Sequence, residues 1–128
     1  MIIADTDVLI DFLAGVSSAA DYIATELQRG SLQTTAITRF ELLSGARNPR
    51  QEAVIRQLLA AIPTLALDEA ASDRAAEVRR SLERAGNSIG MADSLIAGIA
   101  LLHGAVLLTH NRRHFERVPS LRLANFST

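Results

Sequence analysis

The segment MADSLIAGIALLHGAVLLTHN, residues 91–111, is the most informative part of the sequence for the fold. Its first part, Met91–Leu102, is apolar at almost every position, which predicts a helix that is buried on nearly all sides. The short apolar run Ala105–Leu108 then predicts a buried strand, and the polar residues Thr109–Asn111 follow it. A buried helix that leads directly into a buried strand is typical of a parallel α/β sheet.

The rest of the chain repeats this alternation of strands and helices. Helix starts are predicted from capping residues: Ser17 or Ser18 before a helix to Arg29, Thr38 with Glu41 in a capping box, Asn48 followed by Pro49, and Asp68 before a helix to about Ala85. The helix after Pro49 is expected to turn Val54, Ile55, Leu58 and Leu59 inward. The other predicted strands are Met1–Ala4, Ser31–Ala36, Thr64–Leu67 and Leu121–Ala124. We therefore predict an α/β fold with a short, mainly parallel sheet of four to five strands and helices on both faces.

Length and composition restrict the possible functions. The chain has 128 residues, 48% of them hydrophobic, so we expect one domain spanning residues 1–128. It contains no Cys, which excludes cysteine nucleophiles and zinc fingers. All 13 basic residues are Arg, and the lack of Lys excludes P-loop, Schiff-base and protein-kinase chemistry. Met1–Ala4 is too short for a signal peptide, and the uncharged run Ser94–Thr109 is shorter than the roughly 20 residues of a spanning helix. We expect a soluble, cytoplasmic protein.

Three carboxylates stand out by their surroundings. Asp93 is the only formally charged residue from Ala85 to His110, and Asp5 closes the first predicted strand at the sheet edge where ligands bind in α/β folds. Glu41 lies between apolar residues. Each also has a purely structural interpretation: Asp93 as an acid at a helix N-terminus, Asp5 as a cap, and Glu41 as part of a capping box. If the fold gathers them, a divalent cation such as Mg²⁺ or Mn²⁺ would offset their repulsion and support phosphodiester hydrolysis.

Four segments, in order along almost the whole chain, resemble the PIN-domain ribonucleases, and more narrowly the VapC toxins of type II toxin–antitoxin modules. Each motif is weak alone, but the four together at this spacing are specific. They are Asp5–Ile10, Phe40–Ala46, Met91–Ala97 and Leu108–Phe115. The resemblance implies a PIN-like three-layer α/β/α sandwich. It also implies an endoribonuclease dependent on Mg²⁺ or Mn²⁺, in which metal-activated water attacks the RNA phosphodiester.

The resemblance assigns roles to individual residues. Asp5 and Asp93 would bind the metal, Glu41 would complete the cluster, and Thr6 would orient Asp5 or a bound water. Asn111 stands where many PIN domains have a fourth acid, with Thr109 just before it, and this departure puts a stable second metal in doubt. His114 also stands where some relatives carry an acid, and Glu116 is a candidate to compensate. Expected RNA contacts are Arg112, Arg113, Arg117, Arg47 and Arg50. The expected protein partners are a cognate antitoxin and a second copy of the chain, with no membrane.

Other functions are also compatible with part of this pattern. The Asp5-Thr6-Asp7 sequence fits a haloacid-dehalogenase-type phosphatase or a receiver domain, but both usually use a later Lys, which is absent. The stronger alternative is a PIN-like module that binds RNA or a protein partner with weakened or no nuclease activity, for which Asn111 would be the sign.

Overall fold

The computed structural model describes residues 1–16 and 19–125. Within them, five parallel strands form one sheet in the order β3-β2-β1-β4-β5. The strands are β1 (Ile2–Ala4), β2 (Leu32–Thr35), β3 (Thr64–Leu65), β4 (Val106–Leu108) and β5 (Arg122–Leu123). The helices are α1 (Thr6–Leu13), α2 (Ala20–Arg29), α3 (Ala36–Ser44), α4 (Pro49–Ala61), α5 (Glu69–Arg84), α6 (Met91–Leu102) and α7 (Arg112–Phe115). The predicted α/β fold with a parallel sheet is confirmed.

Two of the four predicted helix caps, Asn48 and Asp68, are confirmed. The Asn48 side chain accepts a hydrogen bond from the Gln51 amide, and the Asp68 side chain accepts one from the Ala71 amide, each at 2.9 Å. Such caps satisfy amides that have no partner inside the helix. The structure places Ala19 at the N-cap of α2, without a side-chain hydrogen bond; the predicted caps Ser17 and Ser18 lie outside the described residues.

Two expectations about α3 and α4 are wrong. The N-cap of α3 is Thr35, whose hydroxyl accepts a hydrogen bond from the Thr38 amide. Because the cap lies one turn earlier than predicted, Glu41 is not the acid of a capping box at Thr38. On α4, Ile55, Leu58 and Leu59 are buried as expected, but Val54 is 46% exposed.

The helices cover both faces of the sheet, as alternation along the strands requires. Ile3 of β1 and Leu107 of β4 belong to the core beneath α5 and α6. Their neighbours Ala4 and Leu108 belong to the core beneath α1, α2 and α4. This is the expected three-layer arrangement, since each short strand contributes side chains to two separate cores. Within the described residues, no helix is both long and apolar enough to cross a bilayer.

The sheet order places a topological switch point between β1 and β4. The chain runs from β1 outward to β2 and β3, and returns to the other side of β1 as β4 and β5. At such a point the loops after adjacent strands diverge and leave a crevice at the carboxyl edge. Asp5 follows β1 and Thr109 follows β4, so both lie beside this crevice.

Gly98 is required for the packing of α6 against α5. A Cβ atom added at Gly98 would lie 2.6 Å from the Ala75 backbone N and Cα, which is closer than real atoms approach. We expect Gly98→Ala to lower the free energy of unfolding by about 1–3 kcal/mol, because two helix backbones must separate. Chemical denaturation would measure this loss.

Gly90→Ala is the matched control for that substitution. A Cβ at Gly90 meets no heavy atom of the described residues within 4 Å. Only the weaker preference for Ala at an N-cap position therefore acts against the substitution. Equal losses for the two variants would show that the contact with Ala75 does not limit the packing.

Candidate active site

Asp5 is the most buried of the three predicted acids, with 5% of its surface exposed. One carboxylate oxygen, Oδ2, accepts a hydrogen bond from the Thr109 hydroxyl at 2.7 Å, and Oδ1 accepts one from the Thr6 amide at 2.8 Å. Thr109 in turn accepts a hydrogen bond from the Asn111 amide. Asp5 therefore has a fixed orientation at the end of β1, and the predicted supporting residues Thr6 and Thr109 both contact it.

The charge on Asp5 is not fully compensated. Burial raises the pKa of its carboxyl from 3.8 to about 6, against the hydrogen bond from Thr109, and the nearby charges of Asp7 and Asp93 raise it further. The amide of Thr6 has the opposite effect. A buried carboxylate without a basic partner is costly in its ionised form, so a cation at this position would relieve the cost.

Asp93 lies in the first turn of α6 and contacts the residues after β4. Its Oδ2 atom accepts a hydrogen bond from Asn111 Nδ2 at 3.2 Å and lies 3.1 Å from His114 Nδ1. Asn111 Nδ2 is also 2.9 Å from His114 Nδ1. The carboxylate is partly exposed, with a side-chain exposure of 23%. Asp93 is therefore more than an acid at a helix N-terminus, because its side chain is held by a second segment.

Glu41 is held by the start of α1. The Thr6 hydroxyl donates to Glu41 Oε1 at 2.6 Å and lies 3.0 Å from the Thr38 hydroxyl. Thr6 therefore links two predicted acids, through its amide to Asp5 and through its hydroxyl to Glu41. The buried Thr38 was not predicted as part of the site; its position one helical turn before Glu41 is the signal that would have indicated it.

The three acids share one region but do not form a closed ligand cluster. Among the described residues, no three His, Asp or Glu side chains are close enough to hold a metal ion together. No Arg in that part of the chain forms an ion pair with Asp5, Glu41 or Asp93. Unpaired carboxylates repel each other, which favours separated side chains. The acids and their Thr and Asn partners offer carboxylate, hydroxyl and amide oxygens, which fit Mg²⁺ or Mn²⁺. The His114 ring adds an imidazole nitrogen beside Asp93.

The loop after β4 is anchored on α1 as well as on α6. The His110 amide donates to Asp7 Oδ1 at 3.2 Å, and His110 Nε2 lies 3.0 Å from Asp11 Oδ2. These contacts fix the loop that carries Thr109 and Asn111. Asp7 and His110 are thus positioned at the rim of the site.

The predicted peripheral residues differ in their contacts. Arg112 Nη1 donates to the Ala124 carbonyl at 2.8 Å, so this side chain ties α7 to the end of the sheet. Arg113, Arg117 and Arg47 are exposed. Glu116 is also exposed. Among the described residues, no side-chain hydrogen bond or ion pair links its carboxylate to the site. The predicted compensating role of Glu116 therefore gains no support from its contacts.

A largely apolar groove begins beside Glu41 and runs between α1 and α4. Its volume is about 680 Å³. Ile10 and Val54 line it and are 51% and 46% exposed, and Arg47 and Arg50 lie along the same groove. The sequence did not indicate this groove. The helical spacing of Val54 matches that of the buried residues on α4, so Val54 was predicted to face the core and not an exposed groove.

Comparison with known proteins identifies a family by sequence. The PIN domain family matches residues 2–121 of the chain. The chain is similar to the tRNA(fMet)-specific endonuclease VapC of Shigella flexneri, with 35% identity over 105 residues that cover 79% of this chain and 80% of the relative. It is also similar to ribonuclease VapC10 of Mycobacterium tuberculosis, with 34% identity over 95% of this chain and 91% of the relative.

Solved structures with this fold include toxin–antitoxin complexes. The DNA-bound VapBC complex of Salmonella typhimurium contains a chain that superposes with a TM-score of 0.88 at 27% identity, covering 98% of this chain and 97% of that one. The agreement extends over nearly the full length of both chains.

Proposed function

The chain belongs to the PIN domain family and, within it, to the VapC ribonucleases, and we propose that it is a toxin of a type II toxin–antitoxin module that hydrolyses RNA at Asp5, Glu41 and Asp93. The observation that carries the site assignment is the buried Asp5 carboxylate at the β1–β4 switch point, which has a raised pKa and no basic partner among the described residues. The proposal covers residues 1–128 as a single domain.

The side chains around the acids act as positioning groups in this proposal. Thr109 and the Thr6 amide hold the two oxygens of Asp5 in place. Thr6 also holds Glu41, and Asn111 holds Asp93. With the acids oriented before substrate arrives, less ordering remains for the reaction itself.

Asp5 and Asp93 would bind a divalent cation, with Glu41 completing the site directly or through water. When bound, Mg²⁺ or Mn²⁺ supplies activation of a water molecule and stabilisation of charge on the phosphate oxygens. Asp5 contributes a negative charge that forms no salt bridge within residues 1–16 and 19–125, which favours cation binding over an internal ion pair. Asn111 adds an amide rather than a charge at the fourth position.

RNA binding would depend on local Arg residues, because the formal net charge of the chain is −1. Arg113 and Arg117 lie on and just after α7, next to the loop that carries Asn111, and Arg47 lies near Glu41 in the groove. All three are exposed and able to contact phosphates. Such contacts position RNA without reading its sequence. Arg112 is the least available of the predicted contacts, since it already donates to Ala124.

A cognate antitoxin is the protein partner in this proposal. The apolar groove beside Glu41 offers it a surface that continues into the active site, so that a bound segment would block access to the acids. We also propose a homodimer and a cytoplasmic location, on the basis of the resemblance to VapC toxins.

RNA cleavage by the purified chain would test the proposed function. We expect total RNA to be cut in Mg²⁺ or Mn²⁺, and to remain intact in EDTA or after addition of the antitoxin. The metal requirement follows from the uncompensated carboxylates. Cleavage that is unchanged in EDTA would contradict the metal-dependent site. RNA that is bound but never cut, with either ion, would favour the binding module instead.

A further inference from the structure

Three side-chain atoms near the end of β4 form a compact triangle. They are Asp93 Oδ2, His114 Nδ1 and the amide group of Asn111 that is assigned as Nδ2. The sides of the triangle are 3.1 Å between Asp93 and His114, 2.9 Å between His114 and Asn111, and 3.2 Å between Asn111 and Asp93. The three residues come from α6, from α7 and from the residue just before α7.

We propose that Asp93, Asn111 and His114 form a three-ligand face for a divalent metal, and that the His114 nitrogen makes the site prefer Mn²⁺ and later first-row ions to Mg²⁺. This inference rests on the proposed function and adds a ligand to its metal site. In it, His114 binds the metal directly through Nδ1.

The dimensions of the triangle match one face of an octahedral site. Ligand atoms about 2.1 Å from an octahedral ion, at right angles to each other, are separated by about 3 Å. All three observed separations lie within a few tenths of an ångström of that value. An ion could therefore bind on the open side of the triangle without movement of the helices. The side chains of His114 and Asp93 are 43% and 23% exposed, which leaves that approach accessible.

One local change is needed for Asn111 to act as a ligand. Its NH₂ group faces Asp93 because a carboxylate oxygen requires a donor. Rotation of the amide by half a turn places the carbonyl oxygen in nearly the same position, since the two ends of an amide are similar in size. In the rotated arrangement Oδ1 would bind the cation, which takes the place of the Nδ2 contacts with Asp93 and His114.

The choice of ion follows from the ligand types. The triangle contributes one carboxylate, one amide oxygen and one imidazole nitrogen to a site that also includes the carboxylates of Asp5 and Glu41. Mg²⁺ is a hard ion that is bound chiefly through carboxylates, phosphates and water. Imidazole favours transition metals, and the affinity of a given site rises from Mn²⁺ to Co²⁺. His114 should therefore strengthen the binding of Mn²⁺ and Co²⁺ more than that of Mg²⁺.

The experiment compares metal binding by the full chain and by His114→Glu, which replaces the nitrogen ligand with an oxygen ligand. Calorimetric titration with Mn²⁺ and with Mg²⁺ gives the ratio of the two dissociation constants. Pulsed electron paramagnetic resonance of the Mn²⁺-loaded protein reports directly whether a nitrogen is bound to the ion. His103→Glu is the control, because it adds the same charge at an exposed position at the far end of α6.

The expected results distinguish this inference from the proposed function. The parent chain and the His103 variant should bind Mn²⁺ at least about tenfold more tightly than Mg²⁺, with a ¹⁴N coupling. In His114→Glu that coupling should disappear and the preference should shrink. Mn²⁺ binding and RNA cleavage without a nitrogen coupling would overturn the His114 assignment and leave the nuclease intact. Failure of the parent chain to bind either ion would overturn both.

Discussion

Replacing Asp93 with Asn should lower the rate of RNA cleavage by at least about 100-fold, because loss of even an outer-shell partner of a metal site costs about 10- to 100-fold. Asp93 is assigned as a direct ligand, so the loss should reach or exceed that range. Single-turnover cleavage of RNA at saturating Mn²⁺ would measure the chemical step. Calorimetry on the same preparation would show whether metal affinity falls in parallel.

The fold should survive this substitution. The oxygen of the introduced amide can still accept the hydrogen bond from Asn111 Nδ2. Loss of a negative charge in the first turn of α6 removes a favourable interaction of about 0.3–1 kcal/mol with the helix dipole, but it also removes repulsion with Asp5. We therefore expect a small change in thermal stability.

An exposed acid provides the matched control for Asp93→Asn. Asp73→Asn, on the solvent side of α5, makes the same chemical change away from the site and should cleave RNA at the parental rate. Parental activity in Asp93→Asn would show that the site is wrongly placed. Equal losses in the two variants would point to a general effect of charge.

Replacing Asp5 with Asn should abolish cleavage and at the same time stabilise the metal-free protein at alkaline pH. The folded-state pKa of about 6 is higher than the ordinary value of 3.8. The folded protein therefore binds the proton more tightly than the unfolded chain does. The contribution of Asp5 to stability is most favourable at low pH and becomes unfavourable as pH rises through the interval from about 4 to 6.

The size of this effect follows from the pKa difference. A shift from 3.8 to about 6 corresponds to about 3 kcal/mol at pH 8, since each unit is about 1.4 kcal/mol. Asp5→Asn removes this cost. The substituted amide can accept from the Thr6 amide through its oxygen and donate to the Thr109 hydroxyl, so both contacts of the carboxylate have replacements.

Chemical denaturation of the two proteins in EDTA, at several pH values between 4 and 8, would test this prediction. The difference in unfolding free energy should grow with pH in favour of the variant and level off above pH 7. Subtracting the unfolding free energy of the parent from that of the variant cancels the pH-dependent contributions of the His residues, which both proteins share. A difference that does not depend on pH would contradict the raised pKa. Added Mn²⁺ should stabilise the parent and not the variant, because a bound ligand stabilises only the state that binds it.

The predicted acids illustrate how far local sequence can locate a site. Asp5 follows an apolar strand and Asp93 is the only charge in a long apolar stretch, so each is anomalous in its immediate surroundings. Glu41 was singled out by its apolar neighbours, but its expected capping role was wrong because α3 begins at Ala36 with Thr35 as its cap. The actual partner of Glu41 is Thr6, which lies in a different helix.

The contacts of His114 could not be predicted from the same signals. Its ring reaches Asp93, 21 positions earlier in the chain, only because α7 is a short turn of helix placed beside the start of α6. The sequence around His114 is polar and charged, which is equally typical of an exposed surface. Val54 shows the converse: its spacing predicts burial, but it lies on the exposed groove between α1 and α4.

The sequence by itself determined the alternation of strands and helices, the caps at Asn48 and Asp68, and the residues Asp5 and Asp93 at unusual positions. These features depend on interactions within a few residues, such as helix periodicity, strand burial and capping hydrogen bonds. Only the tertiary structure decided which groups meet, because those contacts depend on the order of the strands. Thr109 reaches Asp5 across 104 positions since β4 pairs with β1, and burial at that junction is what raises the pKa of Asp5.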